Sequence, residues 1–280
     1  DGLSLSINPG EVLGVLGESG SGKTMATMAL LGLIDGYPGV VSGDIYVPDA
    51  HGSINLLAFP KQSISTQSGQ FEKNRKLWQK RTHEVMQDYW GNFMTAIFQH
   101  PRSSLDPLET IGRQVTESVA LAHPGDTVQE HKERALQWLS EVQLTDPERV
   151  YSSYPHELSG GMRQRASLCR ALIHNPDVLI LDEPFGALDA FTREDLWLTM
   201  HKLRTEEPFT GVLITHDLRE SIFLADEVVV LSDRPATVQH RVTMKREESP
   251  SLDQLYTNES IATLNELREQ IRIARNGAEV

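Results

Sequence analysis

Eight consecutive residues, Gly17-Glu18-Ser19-Gly20-Ser21-Gly22-Lys23-Thr24, follow a short apolar run and precede a stretch of helical character. They match G-x-x-x-x-G-K-[ST] in the strand-to-helix context that gives the pattern a mechanical meaning. Glycines let backbone N–H groups close around a phosphate chain without side-chain clash, and a helix starting near Lys23 adds its positive dipole end. Lys23 is placed to reach the β- and γ-phosphates of a nucleoside triphosphate, and the Thr24 hydroxyl to ligate Mg2+. Two acids, Asp182 and Glu183, close the apolar run 178–181. Ligands of open parallel sheets bind beyond the carboxyl ends of the strands, which is where a phosphate loop also lies. Asp182 is expected to hold Mg2+ through water, and Glu183 to accept the proton of an attacking water. Adjacent strand residues face opposite ways, so a turn is needed there to bring both into one site. Ser159, Gly160 and Gly161 stand before another helical run and offer a hydroxyl and free N–H donors, a second anion-ready helix start.

The elements that must position these residues are legible as short apolar runs alternating with helical stretches. Runs 12–16, 95–98, 178–181, 212–215 and 228–231 read as buried strands; helices are expected over 23–33, 110–122, 127–142 and from the serine-glycine start to about 174. That alternation predicts a mostly parallel α/β sheet. Leu3, Leu5 and Ile7 alternate with polar residues before the turn at Pro9-Gly10. The opening therefore reads as the middle of a strand, which implies that residues precede it, and not as a signal peptide. Short strands are expected at 44–47 and 55–57. From 251 to 272 a polar helix carries a thin apolar stripe of Leu252, Leu255, Ile261, Leu264, Leu267 and Ile271.

Leu158-Ser159-Gly160-Gly161-Met162-Arg163-Gln164 resembles the signature L-S-G-G-x-[RQ]-Q of ABC transporter nucleotide-binding subunits. The rest of that family's set appears in order: the phosphate loop, Gln99 in a loop after a strand, Asp182-Glu183, Gly186-Ala187-Leu188-Asp189, and Thr215-His216-Asp217. The resemblance covers about residues 1–242. It implies a P-loop NTPase cassette over 1–242 with an antiparallel β edge and a helical signature subdomain at about 100–175; composition sets apart an inserted lobe at about 59–92, and the polar helical pattern a tail over 243–280. The resemblance also implies ATP and Mg2+ as cofactors, and head-to-tail pairing with a second cassette, identical or paralogous. Ser159, Gly160 and Gly161 of one copy then cover ATP held by the phosphate loop of the other. By the same resemblance Gln99 senses Mg2+ and water, His216 contacts the γ-phosphate, and Asp189 lies in the loop crossing the dimer interface. Tyr37 and Tyr46 follow the phosphate loop and are not assigned the adenine-stacking role that the family gives to an aromatic residue before its first strand.

Composition narrows the partners. The 280 residues carry 39 acidic and 26 basic side chains, a formal charge of -13, which disfavours a general nucleic-acid binder or a polybasic membrane anchor. Cys169 is the single cysteine, so neither an internal disulfide nor a cysteine zinc cluster is available; it is placed as a small core residue. The 10 histidines form no i, i+3 or i, i+4 pair. No apolar run approaches the length of a membrane span. Membrane association is therefore expected only through partner subunits; the family resemblance implies that these are transmembrane permease subunits, at the cytoplasmic face of the inner membrane, with an extracytoplasmic solute-binding protein as an indirect partner.

Two subfamily resemblances remain side by side. Residues 97–107 and 153–165 are similar to dipeptide, oligopeptide and nickel importers; residues 181–193 and 224–235 are similar to nitrate, sulfonate and taurine importers. A soluble ABC ATPase is the alternative, or the cassette of an exporter. A chromosome-structure ATPase needs a long heptad stretch and a ribosome-acting one commonly two cassettes, and this sequence has neither. The stretch 59–92, rich in Gln, Ser, Lys and Arg, departs from both importer patterns. Its basic run 72–81 is expected to form a solvated helix that tucks Trp78 against the domain, with a partner-contacting or nucleic-acid-touching helix as the other reading.

Overall fold

A computed structural model describes residues 2–18, 20–37, 39–49, 52–67, 70–98, 105–245 and 251–276. Strand β1 (Val12–Leu16) leads into helix α1 (Lys23–Leu30). Hairpin β2 (Tyr46–Asp49) and β3 (Gly52–Asn55), helix α2 (Ala58–Lys61), hairpin β4 (Ile64–Gln67) and β5 (Gln70–Lys73), helix α3 (Arg75–Met86) and strand β6 (Met94–Phe98) follow. Among the described residues, helices α4 (Ile111–Ala122), α5 (Val128–Glu141), α6 (Pro147–Ser152) and α7 (Gly160–Leu172) then precede strand β7 (Val178–Asp182). Helix α8 (Ala190–Glu206), strand β8 (Thr210–Ile214), helix α9 (Leu218–Leu224), strands β9 (Glu227–Leu231) and β10 (Val238–Thr243), and helix α10 (Asn258–Asn276) come last. The main sheet has the order β10-β9-β1-β8-β7-β6, parallel throughout except for β10, which runs antiparallel to β9.

Period-two alternation divides every central strand between two cores. Val12, Leu16, Leu179, Leu181, Leu213, Val228 and Val230 face one cluster, shared with α4, α5, α7 and α8. Leu13, Val15, Ile180, Val212, Ile214, Val229 and Leu231 face the other, shared with Leu31 and Met86. Both sheet faces are covered, which is why these runs are uniformly apolar. Burying each such side chain stabilises by about 1.5–3 kcal/mol. The parity has a consequence at the strand ends: Asp182 shares the face of Ile180, toward α1, and Thr215 shares the face of Leu213, toward α9.

Helix α1 is shorter than the expected 23–33. Gly32 takes φ 69, the Leu33 N–H donates to the Met28 carbonyl at 2.8 Å, and the chain leaves the helix in a Schellman turn. A Cβ at Gly32 would stand 2.7 Å from Met86 Cγ, so α3 also packs too closely for any other residue. Two indoles finish this end: Trp90 Nε1 donates to the Leu31 carbonyl at 2.9 Å and Trp78 Nε1 to the Ile34 carbonyl at 3.0 Å. Trp78 is buried and Lys73 Nζ lies 4.5 Å over its ring, so the basic helix α3 turns an apolar edge inward.

Three other expectations are corrected. Residues 2–8 form no strand; Leu3 and Ile7 pack against the second core as extended chain, with the Ser4 carbonyl accepting from Arg241. The strands expected at 44–47 and 55–57 are β2 and β3, shifted by the hairpin that pairs Tyr46 with Asn55. In the tail, Leu255, Leu267 and Ala274 are buried against α9, β9 and β10, whereas Ile261 is exposed. A 3-10 turn at Leu252–Tyr256 ends before Thr257, and the fresh start of α10 after it rotates Ile261 away from the stripe.

Candidate functional site

The phosphate loop is closed by its own lysine. Gly20 (φ 95) and Gly22 (φ 99) hold backbone angles that L side chains rarely adopt. Gly22 caps α1 without a side-chain acceptor, and no acid occupies the first turn, so no side chain of the helix competes for the N–H groups there. Lys23 Nζ donates to the Gly17 and Glu18 carbonyls, both at 2.7 Å. Burial pulls the Lys23 ammonium below its usual range, while Glu183, Asp182 and Glu18 pull the other way. Arg234 reaches in from the β9–β10 connection and its Nε donates to the Gly20 carbonyl. Arg275 of α10 stands 3.6 Å from Glu18. Ser19 and Gln99 lie outside the described residues.

Asp182 ends β7 beside the start of α1, as the strand parity requires. Asp182 is 6% exposed; burial and the neighbouring Glu183 raise its pKa, against a hydrogen bond from the Thr24 hydroxyl and the charge of Lys23. Thr24 and Asp182 thus form an oxygen pair of the kind a hard divalent cation prefers. Among the described residues no group of three or more His, Cys, Asp or Glu is arranged to hold a metal.

Glu183 makes the turn that brings both acids to one side. Its φ is 48, left-handed for a residue with a side chain, while its N–H still donates to the Ile214 carbonyl of β8 at 2.7 Å. Its Oε2 lies 3.3 Å from His216 Nδ1, and Gly186 sits against both side chains. His216 follows β8 and is exposed.

Ser159 and Asp189 form a second corner. Ser159 is exposed and caps α7 by accepting from the Met162 N–H at 3.2 Å. Asp189 caps α8 by accepting from the Thr192 N–H at 3.0 Å and its hydroxyl at 2.7 Å, bonds that hold its carboxyl below the usual range. The two caps touch: a Cβ at Gly161 would stand 2.4 Å from Thr192 Cγ2, and one at Gly160 would stand 3.4 Å from Leu188.

Two residues that the sequence reading passed over tie these corners together. Arg193 donates from Nη1 to Asp217 at 2.6 Å and from Nη2 to the Leu188 carbonyl at 3.3 Å, joining the Asp189 loop to the His216 turn. The hint in the sequence is a cation in the first turn of a helix, where the dipole disfavours it unless it has an acidic partner. Glu220, in the turn after His216, is 1% exposed. Asp217-Leu218-Arg219-Glu220 has capping-box spacing, which points such an acid toward water rather than the core.

The model of the family described as ABC transporter matches residues 1–186. The oligopeptide transport ATP-binding protein AmiE of Streptococcus pneumoniae serotype 4 is 37% identical over 230 residues, 82% of this chain and 58% of that protein. The dipeptide transport ATP-binding protein DppD of Escherichia coli K12 is 35% identical over 231 residues, 82% of this chain and 62% of that one. The chain therefore spans about three fifths of the length of these curated relatives. Among solved structures, the dimeric post-hydrolysis state of the ATP-binding cassette MJ0796 bound to ADP and Pi superposes with a TM-score of 0.63 at 25% identity, over 88% of this chain and 90% of that one. The family match takes in both helix starts and the strand-end acids within its 186 residues, and the chain belongs to the ABC transporter family.

Proposed function

We propose that the chain is the ATP-hydrolysing motor subunit of a membrane importer that carries a small solute of the peptide class through partner permease subunits. The observation that carries this reading is the convergence at one end of the sheet: Lys23 over its loop, Thr24 on Asp182, and Glu183 3.3 Å from His216. Polyanion cradle, cation ligands and general base are the parts that phosphoryl transfer to water requires. Thr24 and Asp182 hold Mg2+, which when bound neutralises charge on the phosphates. Lys23 exchanges its carbonyl partners for phosphate oxygens. Glu183 takes the proton of the attacking water while His216 steadies it and faces the γ-phosphate.

Ser159, Gly160 and Gly161 serve the ATP of a second cassette, with Asp189 at the seam between the two. The exposed helix start they form, joined to the Asp189 loop, supports this pairing. Gln99 reports the state of the site to the permease. No helix among the described residues is long and apolar enough to cross a membrane. In this reading the permease subunits hold the chain at the inner face of the membrane. The oligopeptide and dipeptide roles of the similar proteins support a peptide cargo over a small anion, delivered by an extracytoplasmic binding protein.

Glu183→Gln tests the chemistry. ATP affinity stays near the wild-type value and turnover falls by about 10²–10⁴. Full turnover in that variant removes Glu183 from the role of base.

A further inference from the structure

Glu220 is buried to 1% exposure beneath the turn that carries His216. Its Oε2 accepts from Thr215 Oγ1 at 3.0 Å, and its Oε1 has no hydrogen-bond partner among the described residues. Thr215 Oγ1 in turn accepts from the Asp217 N–H at 3.0 Å. Thr215 and Asp217 are the two neighbours of His216, so one carboxyl grips both flanks of the histidine through a single hydroxyl. A glutamate at the third position of a helix ordinarily reaches back to the cap N–H from solvent. Here Thr215 takes that N–H, and Glu220 is drawn inward, where α9 packs on β1. Burying a carboxyl with half of its hydrogen-bonding capacity unmet costs free energy that an apolar residue at the same place avoids.

We propose that Glu220 is a positioning residue that fixes the two residues flanking His216, and with them the contact of His216 with Glu183. The proposal rests on the reading of that pair as part of an ATP-hydrolysing site. The groups acting on Glu220 are consistent with a neutral acid at pH 7: burial lifts its pKa to about 8, the Thr215 hydrogen bond and Arg193 oppose the rise, and Asp217 and Glu183 add to it. A neutral carboxyl accepts the Thr215 hydroxyl without placing another anion beside Glu183.

The test is ATP turnover and ATP affinity of the full chain in wild type, E220Q, E220A, H216A and E220A/H216A. Glutamine keeps the size and the neutral acceptor, so E220Q retains turnover close to wild type. E220A lowers kcat by roughly 10- to 100-fold with ATP affinity unchanged, the cost of a mispositioned group. That loss disappears in the H216A background, because the two residues act as one unit. Additive losses in the double variant, or an equal loss in E220Q and E220A, overturn the proposal. If E220A does not fold, T215V takes its place under the same criteria, since it keeps the shape and removes the hydroxyl. No turnover in wild type brings down the hydrolysis reading and this inference with it; full turnover in H216A leaves hydrolysis standing and overturns the inference. The E220 pattern brings down the inference alone.

Discussion

The cradle and the His216 corner stand at neighbouring strand ends and are built in opposite ways. From Gly17 to Thr24 the cradle stays within consecutive residues: the described glycines Gly20 and Gly22 supply the turns, and Lys23 returns to the Gly17 and Glu18 carbonyls. The corner draws Glu183 from the end of β7, Thr215 to Asp217 from the end of β8, Arg193 from α8 and Glu220 from α9. The cradle's turns are set by backbone dihedrals, which are local, with Arg234 bonding the Gly20 carbonyl from the β9–β10 connection. That of the corner is set by side chains meeting across elements, so several distant substitutions can disturb it.

The difference is sharpest for variants that remove one charge. Lys23→Ala takes from the cradle its ammonium and lowers ATP affinity by roughly 10- to 100-fold, the worth of charge-assisted hydrogen bonds. Equilibrium binding measures it, and unchanged affinity contradicts the assignment. Because the cradle is local, the same variant leaves unfolding stability nearly intact.

Asp217→Ala strikes the corner, where the order reverses. It deletes the cap of α9 and strands Arg193, so stability to urea falls by about 2–4 kcal/mol. Asp217→Asn, which keeps a cap, loses less. Equal losses for Ala and Asn, or no loss for either, break the contrast.

Glu220 makes the corner sensitive to pH. Its pKa rises from 4.5 in the unfolded chain to about 8 in the fold. The folded chain keeps the proton that the unfolded chain releases, so this contribution is whole below about 4.5 and is lost as pH rises through about 8. Wild type therefore loses stability relative to Glu220→Gln between pH 5 and 8. Urea unfolding at several pH values shows converging or diverging curves; parallel curves remove the effect.

The smallest change is expected at Ser159, whose hydroxyl caps α7. Ser159→Ala costs about 1 kcal/mol of stability. If the hydroxyl also serves a partner's phosphate, ATP-dependent pairing weakens while the single chain binds ATP as before. Pairing that matches wild type restricts Ser159 to its capping role.

Much of this was legible because it is written in short-range patterns. Short continuous apolar runs mark the strands, and the spacing from Gly17 to Thr24 marks the loop. Thr110 and Thr127 cap α4 and α5 where the sequence puts those helices. Glu220 went unread because its local spacing has an exposed meaning that Thr215 overrides by taking the cap N–H. Arg193 went unread because its partners are 5 and 24 residues away. Periodicity puts Ile261 on the tail's apolar stripe, and the helix break at Thr257 undoes the phase.

By itself the sequence determined the cradle, the alternating strands and the serine-glycine helix start, since backbone conformation at glycines and caps depends on near neighbours. Only the tertiary structure decided that Asp182 meets Thr24, that Glu183 turns to His216, and that Glu220 lies beneath them both. Those contacts depend on how strands register across the sheet and on which polar group reaches a shared hydrogen atom first, and neither is written in local spacing.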